Sequence, residues 1–149
     1  MRKIRAPFVF ALIAFSVAGC AVNFVAEYNA AIQEEIIQTA RKVDLFWGEL
    51  MDTNIGDRQY DNFKDKYNEI ETDIRVLLMK NEIRALNEES TKQAKIALDL
   101  WMEDRKLHKT NNTFSDFEAQ RHRTQYTRIF TAMAKGEEAK NIQNGGDES

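Results

Sequence analysis

Cysteine and proline are almost missing from this chain, and each scarcity excludes a class of structure. The 149 residues include one cysteine, Cys20, and one proline, Pro7. A single cysteine excludes an internal disulfide and any zinc or iron–sulfur site built from several cysteines. Because no proline follows Pro7, proline interrupts no helix in the rest of the chain. The composition therefore favours long helices without covalent cross-links.

The common catalytic motifs are also missing. The sequence has no Gly-x-Ser-x-Gly nucleophile turn, no glycine-rich phosphate-binding loop and no Cys-x-x-Cys-His haem attachment motif. Adjacent acids such as Glu34 and Glu35 point about 100° apart on a helix, so such pairs do not converge on one substrate atom. We therefore expect a protein that is not an enzyme, and the sequence identifies no small-molecule substrate.

The chain has no excess of positive charge after its first 19 residues. That N-terminal stretch has three basic residues and no acid, whereas residues 20–149 have 18 basic and 24 acidic side chains, a net charge of −6. Such a chain is repelled by nucleic-acid phosphates. The whole chain has 43% hydrophobic residues, which is enough to form a packed core. We expect one folded domain that does not bind nucleic acid.

The first 20 residues, MRKIRAPFVFALIAFSVAGC, have the layout of a secretory signal peptide. A basic start precedes an apolar run over 8–17, and small residues follow at Ala18 and Gly19. As a helix, this run of about ten residues spans about 15 Å, against about 30 Å of bilayer hydrocarbon. It is therefore too short for a permanent transmembrane helix.

The four residues at the end of this segment resemble the lipobox of bacterial lipoproteins: Val17, Ala18, Gly19 and Cys20. The resemblance implies removal of residues 1–19, a diacylglycerol on the Cys20 thiol and an acyl chain on its new amino group. Several acyl chains anchor a protein firmly, whereas one gives only marginal binding. Ala21 stands where an aspartate would imply retention in the inner membrane. The resemblance therefore implies anchoring in the outer membrane, facing the periplasm.

Apolar residues after Asn23 recur at steps of three and four, which predicts amphipathic helices and no strands. The pattern predicts four helices in an antiparallel up-and-down bundle, with the first over about 24–52 and the third over about 91–109. Asp57 is positioned to cap the second. Because the phase is uncertain after this helix, the alternative is a three-helix bundle in which 58–109 is one bent element.

Two sequence signatures mark the starts of the third and fourth helices. Ser90 with Gln93, and Ser115 with Glu118, have the spacing of capping boxes. The sequence thus predicts four segments along the chain. These are a cleaved signal peptide over 1–19, a lipidated tether over 20–23, a helical bundle over 24–140 and a disordered tail over 141–149.

The two histidines give the chain its candidate metal or haem site. His108 and His122 lie at or near the apolar faces of their helices, and each has an acid four residues before it, Asp104 and Glu118 respectively. Di-iron sites in bundles use Glu-x-x-His pairs, in which the spacing is three. We therefore expect no metal and no cofactor other than the covalent lipid. A metal or haem site on these four residues is the alternative.

Two lines of charge are candidate partner-binding surfaces. Acidic residues recur every four positions on the second helix, and basic residues recur every seven on the last. They are Asp61, Asp65, Glu69 and Asp73 on the acidic line, and Arg121, Arg128 and Lys135 on the basic line. Such lines are more often solvated surface with neighbouring counter-charges.

We expect Trp47 and Trp101, at the edges of the apolar faces, to pack in the core or at its rim.

The anchor and the short tether point to a class of function. Only three residues separate Cys20 from the predicted first helix, a reach of about 10 Å when fully extended. The bundle is then held near the membrane, where an envelope protein is better placed as a partner than a diffusible molecule. The sequence predicts a non-enzymatic lipoprotein that acts on an envelope partner as a binding, accessory or exclusion protein. A metal- or haem-binding bundle is the alternative.

Overall fold

The computed structural model describes residues 25–143 of the chain, and these fold into an antiparallel bundle of four helices. The helices are α1 (Ala30–Asp52), α2 (Tyr60–Glu82), α3 (Glu88–Asn111) and α4 (Asp116–Gln143). A 3₁₀ turn over Ile55–Asp57 follows α1. The part of the chain that the structure describes contains no strand. The predicted all-α bundle with four helices is therefore confirmed, and α2 and α3 are separate elements rather than one bent helix.

The predicted signal peptide, lipobox, Cys20 and tether lie outside the described residues, as does 144–149 of the predicted tail. α4 continues to Gln143, three residues beyond the predicted end of the bundle. Its last turns are held because Lys140 donates hydrogen bonds to Asn87 and Ser90 on the neighbouring α3 segment. Among the helices described, none is long and apolar enough to cross a membrane.

The four helices form a ring around one aromatic core. Each packs on its neighbours along the chain, and α1 also packs on α4. At the centre, the ring of Phe46 lies edge-on to Trp101 with centroids 5.1 Å apart, and to Tyr67 at 4.6 Å. Such pairs contribute about 0.5–1.5 kcal/mol each beyond the burial of their apolar area. Trp47 and Trp101 are both fully buried, so the prediction that they pack inside rather than stand exposed is confirmed.

Side-chain caps set the starts of α1 and α4. The Oδ1 atom of Asn29 accepts hydrogen bonds at 3.0 and 3.1 Å from N–H groups in the first turn, so α1 begins at Ala30 rather than near residue 24. At α4, the Ser115 N–H donates to Glu118 Oε2 at 2.9 Å, and the Glu118 N–H donates to Ser115 Oγ at 3.3 Å. The predicted capping box at Ser115 is therefore confirmed.

The predicted start of α2 at an Asp57 cap was wrong. Asp57 lies in the 3₁₀ turn, and the helix begins at Tyr60 with no side-chain cap from Gln59. The N–H group of Tyr60 instead donates to Oδ1 of Asn112, at the end of α3, over 3.0 Å. A cap supplied from another helix leaves no pattern in the local sequence.

The predicted capping box at the start of α3 was also wrong. The helix begins at Glu88, which places Ser90 inside the first turn rather than before it. The hydroxyl of Ser90 accepts a hydrogen bond at 2.9 Å from the ammonium of Lys140 on α4. Ser90 therefore joins two helices instead of starting one.

Candidate functional site

The basic line on α4 is exposed and lines a groove. Arg121 and Arg128 border a shallow, open groove between α3 and α4, together with Ile96 and Phe117. The side chain of Phe117 is 76% exposed. Lys135 is exposed on the same helix but lies outside the residues that line the groove.

The groove arginines differ from most arginines of the bundle because they have no carboxylate partner. Of the eight arginines among the described residues, five form an ion pair within 4.0 Å: Arg58, Arg75, Arg84, Arg105 and Arg123. Neither Arg121 nor Arg128 forms such a pair with any residue that the structure describes. Arg121 acts on the Glu118 carboxylate only at longer range, so both guanidinium groups can still bind a carboxylate outside the chain.

The acidic line on α2 is largely used within the bundle. Glu69 and Asp73 bind the ammonium of Lys42 on α1, at 2.8 and 2.7 Å, and these hydrogen bonds raise the pKa of Lys42. Asp61 lies 3.9 Å from Lys64 one turn along its own helix, and Asp65 is exposed. Exposed pairs of this kind contribute about 0–1 kcal/mol each to stability. This line is therefore a set of helix–helix and surface contacts rather than a free acidic face.

His108 is buried and forms a hydrogen bond through each of its ring nitrogens. Its Nε2–H donates to the carbonyl of Arg58 at 2.7 Å, and the Tyr67 hydroxyl lies 3.1 Å from its Nδ1. Because a carbonyl oxygen only accepts, Nε2 carries the proton and Nδ1 accepts from Tyr67. Burial lowers the pKa of His108 below its usual value, so the ring is neutral near pH 7. Both ring nitrogens are thus occupied.

His122 and Asp104 are the two members of the predicted metal set that the structure brings together. Nδ1 of His122 lies 3.1 Å from Oδ2 of Asp104 but forms no hydrogen bond with it. The same carboxylate oxygen accepts a hydrogen bond at 2.8 Å from the hydroxyl of Tyr126. The His122 ring stacks on Trp47, with centroids 5.0 Å apart and planes within 14°. Asp104 and His122 therefore form part of an aromatic core.

The four residues of the metal alternative do not converge. Glu118 is held by its hydrogen bonds with Ser115, which lower its pKa, and the charge of Arg121 adds to this effect. A metal site on all four residues would require His108 to give up its hydrogen bond with the Arg58 carbonyl and Glu118 to give up its hydrogen bonds with Ser115. Over residues 25–143, no group of three or more histidine, cysteine or acidic side chains is placed to hold a metal ion.

Sequence reasoning missed a buried charged cluster at the end of the bundle where α1 begins. Glu137, almost completely buried, accepts hydrogen bonds from Arg84 Nη2 at 2.9 Å, Lys140 Nζ at 2.6 Å and the Asn29 N–H at 2.9 Å. Burial acts to raise the pKa of Glu137, but these donors outweigh it and hold the pKa below its usual value. The sequence does contain a signal for this burial, because positions 137 and 140 continue the buried face of α4 after Met133 at steps of four and three.

A second buried charge lies at the opposite end, where α1 meets α2. The guanidinium of Arg58 donates to the carbonyls of Thr53 at 2.7 Å, Met51 at 3.0 Å and Phe114 at 3.1 Å. It also lies 2.6 Å from the carboxylate of Asp116. Arg58 therefore ties the α1–α2 connection to the α3–α4 connection. It lies between helices, where no periodic pattern marks it as buried.

Comparisons with known proteins leave the function to be inferred from the chain itself. No family model matches the chain, and no match was found among curated protein sequences or solved structures. The two buried clusters are internal contacts of the bundle. Within residues 25–143, the groove beside Phe117, Arg121 and Arg128 combines an exposed aromatic ring with two arginines that form no ion pair.

Proposed function

We propose that this protein is a non-enzymatic envelope lipoprotein whose bundle binds a partner protein through the groove between α3 and α4. The proposed anchor is a diacylglycerol and an N-acyl chain on Cys20, in the outer membrane and facing the periplasm. The resemblance of Val17, Ala18, Gly19 and Cys20 to a lipobox supports the anchor. The observation that carries the binding role is the exposed Phe117 beside two arginines without a carboxylate partner.

The side chains of the groove are of the types that dominate protein interfaces. Aromatic residues and arginine are enriched at interface positions that contribute most of the binding energy. Burying an exposed Phe117 in an apolar pocket is favourable by about 1.5–3 kcal/mol. Arg121 and Arg128 each offer a planar guanidinium that binds a carboxylate through two hydrogen bonds. The partner that fits is an envelope protein with acidic side chains around an apolar pocket.

The position of the groove also fits an anchored protein. Phe117 lies in the first turn of α4, whereas Glu137 lies beside the start of α1, close to the proposed tether. Twenty residues of helix separate them, a distance of about 30 Å. The bundle would therefore present Phe117 about 30 Å from its anchored end, in reach of the periplasmic part of another envelope protein.

Photocrosslinking in intact cells tests this role. A photoreactive amino acid replaces Phe117 in the full-length protein, with or without the double change Arg121→Glu and Arg128→Glu. Reversing both charges should lower the yield of the crosslink by at least about tenfold, because the two introduced glutamates then repel the acidic partner. The crosslinked protein is identified by mass spectrometry.

The matched control applies the same charge change to another part of the surface. Lys64→Glu with Lys106→Glu alters two exposed lysines that do not line the groove. This variant should crosslink as the unaltered chain does. Equal crosslinking of the two double variants, or a Phe117 position that captures no envelope protein, would contradict the proposed role.

A further inference from the structure

The end of the bundle nearest the proposed tether carries three exposed apolar side chains. Ile83 and Leu86, in the connection between α2 and α3, are 78% and 51% exposed, and Ile142, in the last turn of α4, is 76% exposed. Glu137 binds Arg84 and Lys140 binds Asn87, so the last turns of α4 lie beside this connection. We call Ile83, Leu86 and Ile142 the apolar tip.

Leu86 adopts a backbone conformation that a leucine rarely takes. Its φ is 58°, in the left-handed region, where glycine or asparagine is favoured because the Cβ atom of other residues crowds the backbone. This conformation turns the chain between α2 and α3 and leaves about half of the Leu86 surface exposed at this end of the bundle.

The chain leading to the anchor is fixed directly to the apolar tip. The N–H group of Ala26 donates to the carbonyl of Leu86 at 3.0 Å, and Arg84 donates to the carbonyl of Glu27. Ala26 is six residues after Cys20, which at full extension is about 20 Å. An anchor at Cys20 therefore keeps the apolar tip within about 20 Å of the bilayer, whatever the path of the intervening residues.

We propose that the apolar tip rests on the lipid surface, with Ile83, Leu86 and Ile142 inserted among the headgroups of the bilayer that holds Cys20. This inference rests on the proposed lipid anchor. Contact at the tip would orient the bundle on the membrane, which attachment at Cys20 alone does not do. The groove beside Phe117 would then point away from the bilayer.

The charges at this end select the kind of lipid surface. Glu82 and Glu88 are exposed there without an ion pair to any described residue, Glu89 pairs with the exposed Lys92 at 2.6 Å, and Arg84 and Lys140 are both bound to Glu137. Anionic headgroups repel such an end. The apolar tip therefore fits a zwitterionic surface such as phosphatidylethanolamine, and its contact is apolar rather than electrostatic.

Site-directed fluorescence of the full-length, lipidated protein tests the inference. Ile83→Cys, Leu86→Cys and Ile142→Cys are each labelled with an environment-sensitive dye in vesicles of phosphatidylethanolamine and phosphatidylcholine. The control, Ile55→Cys, replaces an isoleucine that is 64% exposed, within the range of the tip residues, at the opposite end of the bundle. Lipids that carry a quencher near the headgroup should quench the labels at the tip at least about threefold more than the label at position 55.

Three results would count against it in distinguishable ways. Equal quenching at the tip and at position 55, with Cys20 lipidated, overturns the tip contact and leaves the anchor standing. Dye on the Cys20 thiol itself overturns the anchor and the inference together. Stronger quenching when phosphatidylglycerol is added, reversed by salt, would make the contact electrostatic and contradict the apolar tip. Weaker quenching on that addition is the expected result.

Discussion

Replacing Glu137 by alanine should lower the free energy of unfolding by about 3–5 kcal/mol, because the change leaves buried cations without their counter-charge. The side chain of Lys140 is 8% exposed and that of Arg84 is 15% exposed, and both bind the Glu137 carboxylate. The backbone N–H of Asn29 loses an acceptor in the same change. Chemical denaturation followed by circular dichroism measures the loss.

The adjacent residue supplies the control. Glu138 is exposed, and its carboxylate accepts one hydrogen bond from the amide of Gln33. Glu138→Ala removes the same charge from the same turn, yet should change the free energy of unfolding by no more than about 0.5 kcal/mol. Equal losses for the two variants would mean that net charge, rather than the buried cluster, sets the effect.

The contribution of Glu137 should depend on pH in a defined direction. Its pKa in the folded protein lies below the usual value of 4.5. The unfolded chain therefore takes up the proton first on acidification, so the contribution is complete above the unfolded pKa and is lost as pH falls through the folded pKa. The stability difference between the unaltered chain and Glu137→Gln should shrink from pH 7 toward pH 3. A difference that stays constant over that range contradicts the assignment.

Replacing Arg58 by methionine should cost about 3 kcal/mol at the opposite end of the bundle. Methionine fills similar space but has no donor, so the carbonyls of Met51, Thr53 and Phe114 each lose a hydrogen bond. Each lost bond to a charged donor costs about 1 kcal/mol or more. Hydrogen exchange should also become faster in the two connections that Arg58 joins.

Two further variants separate the donor geometry of Arg58 from its charge. Arg58→Lys keeps the charge but has one nitrogen, which does not reach three carbonyls, so it should recover little of the loss. Arg75→Met removes an exposed arginine whose partner, Glu71, lies on its own helix, and should cost less than about 1 kcal/mol. The assignment fails if Arg58→Met and Arg75→Met are equally destabilising.

The bundle was predictable from the sequence because helical periodicity is a local signal. Apolar residues at steps of three and four marked the buried face of each helix. The capping box of Ser115 with Glu118 correctly marked the start of α4. The predictions for the starts of α2 and α3 were wrong because contacts with residues distant in the sequence determine both starts. Asn112 caps α2 from the end of α3, and the Ser90 hydroxyl, which would have capped α3, accepts a hydrogen bond from Lys140 on α4 instead. A contact between helices has no signature in either local sequence.

The candidate site was predictable in its charges but not in its apolar part. The spacing of seven placed Arg121 and Arg128 on one face of α4, and the structure keeps both free of described carboxylates. Phe117 lies four residues before Arg121, on the same face of α4, but outside the apolar face that packs in the core. An aromatic residue out of phase with the core face is a signal for an exposed anchor.

The mass of the protein, isolated from cell membranes, tests the proposed lipid anchor. We expect a chain that begins at Cys20, with a diacylglycerol on its thiol and an acyl chain on its amino group. A Cys20→Ser variant should lose the lipid mass and leave the membrane fraction, because apolar chains supply the anchoring. A membrane-bound protein that retains residues 1–19 with an unmodified Cys20 thiol would overturn the anchor and the function proposed from it.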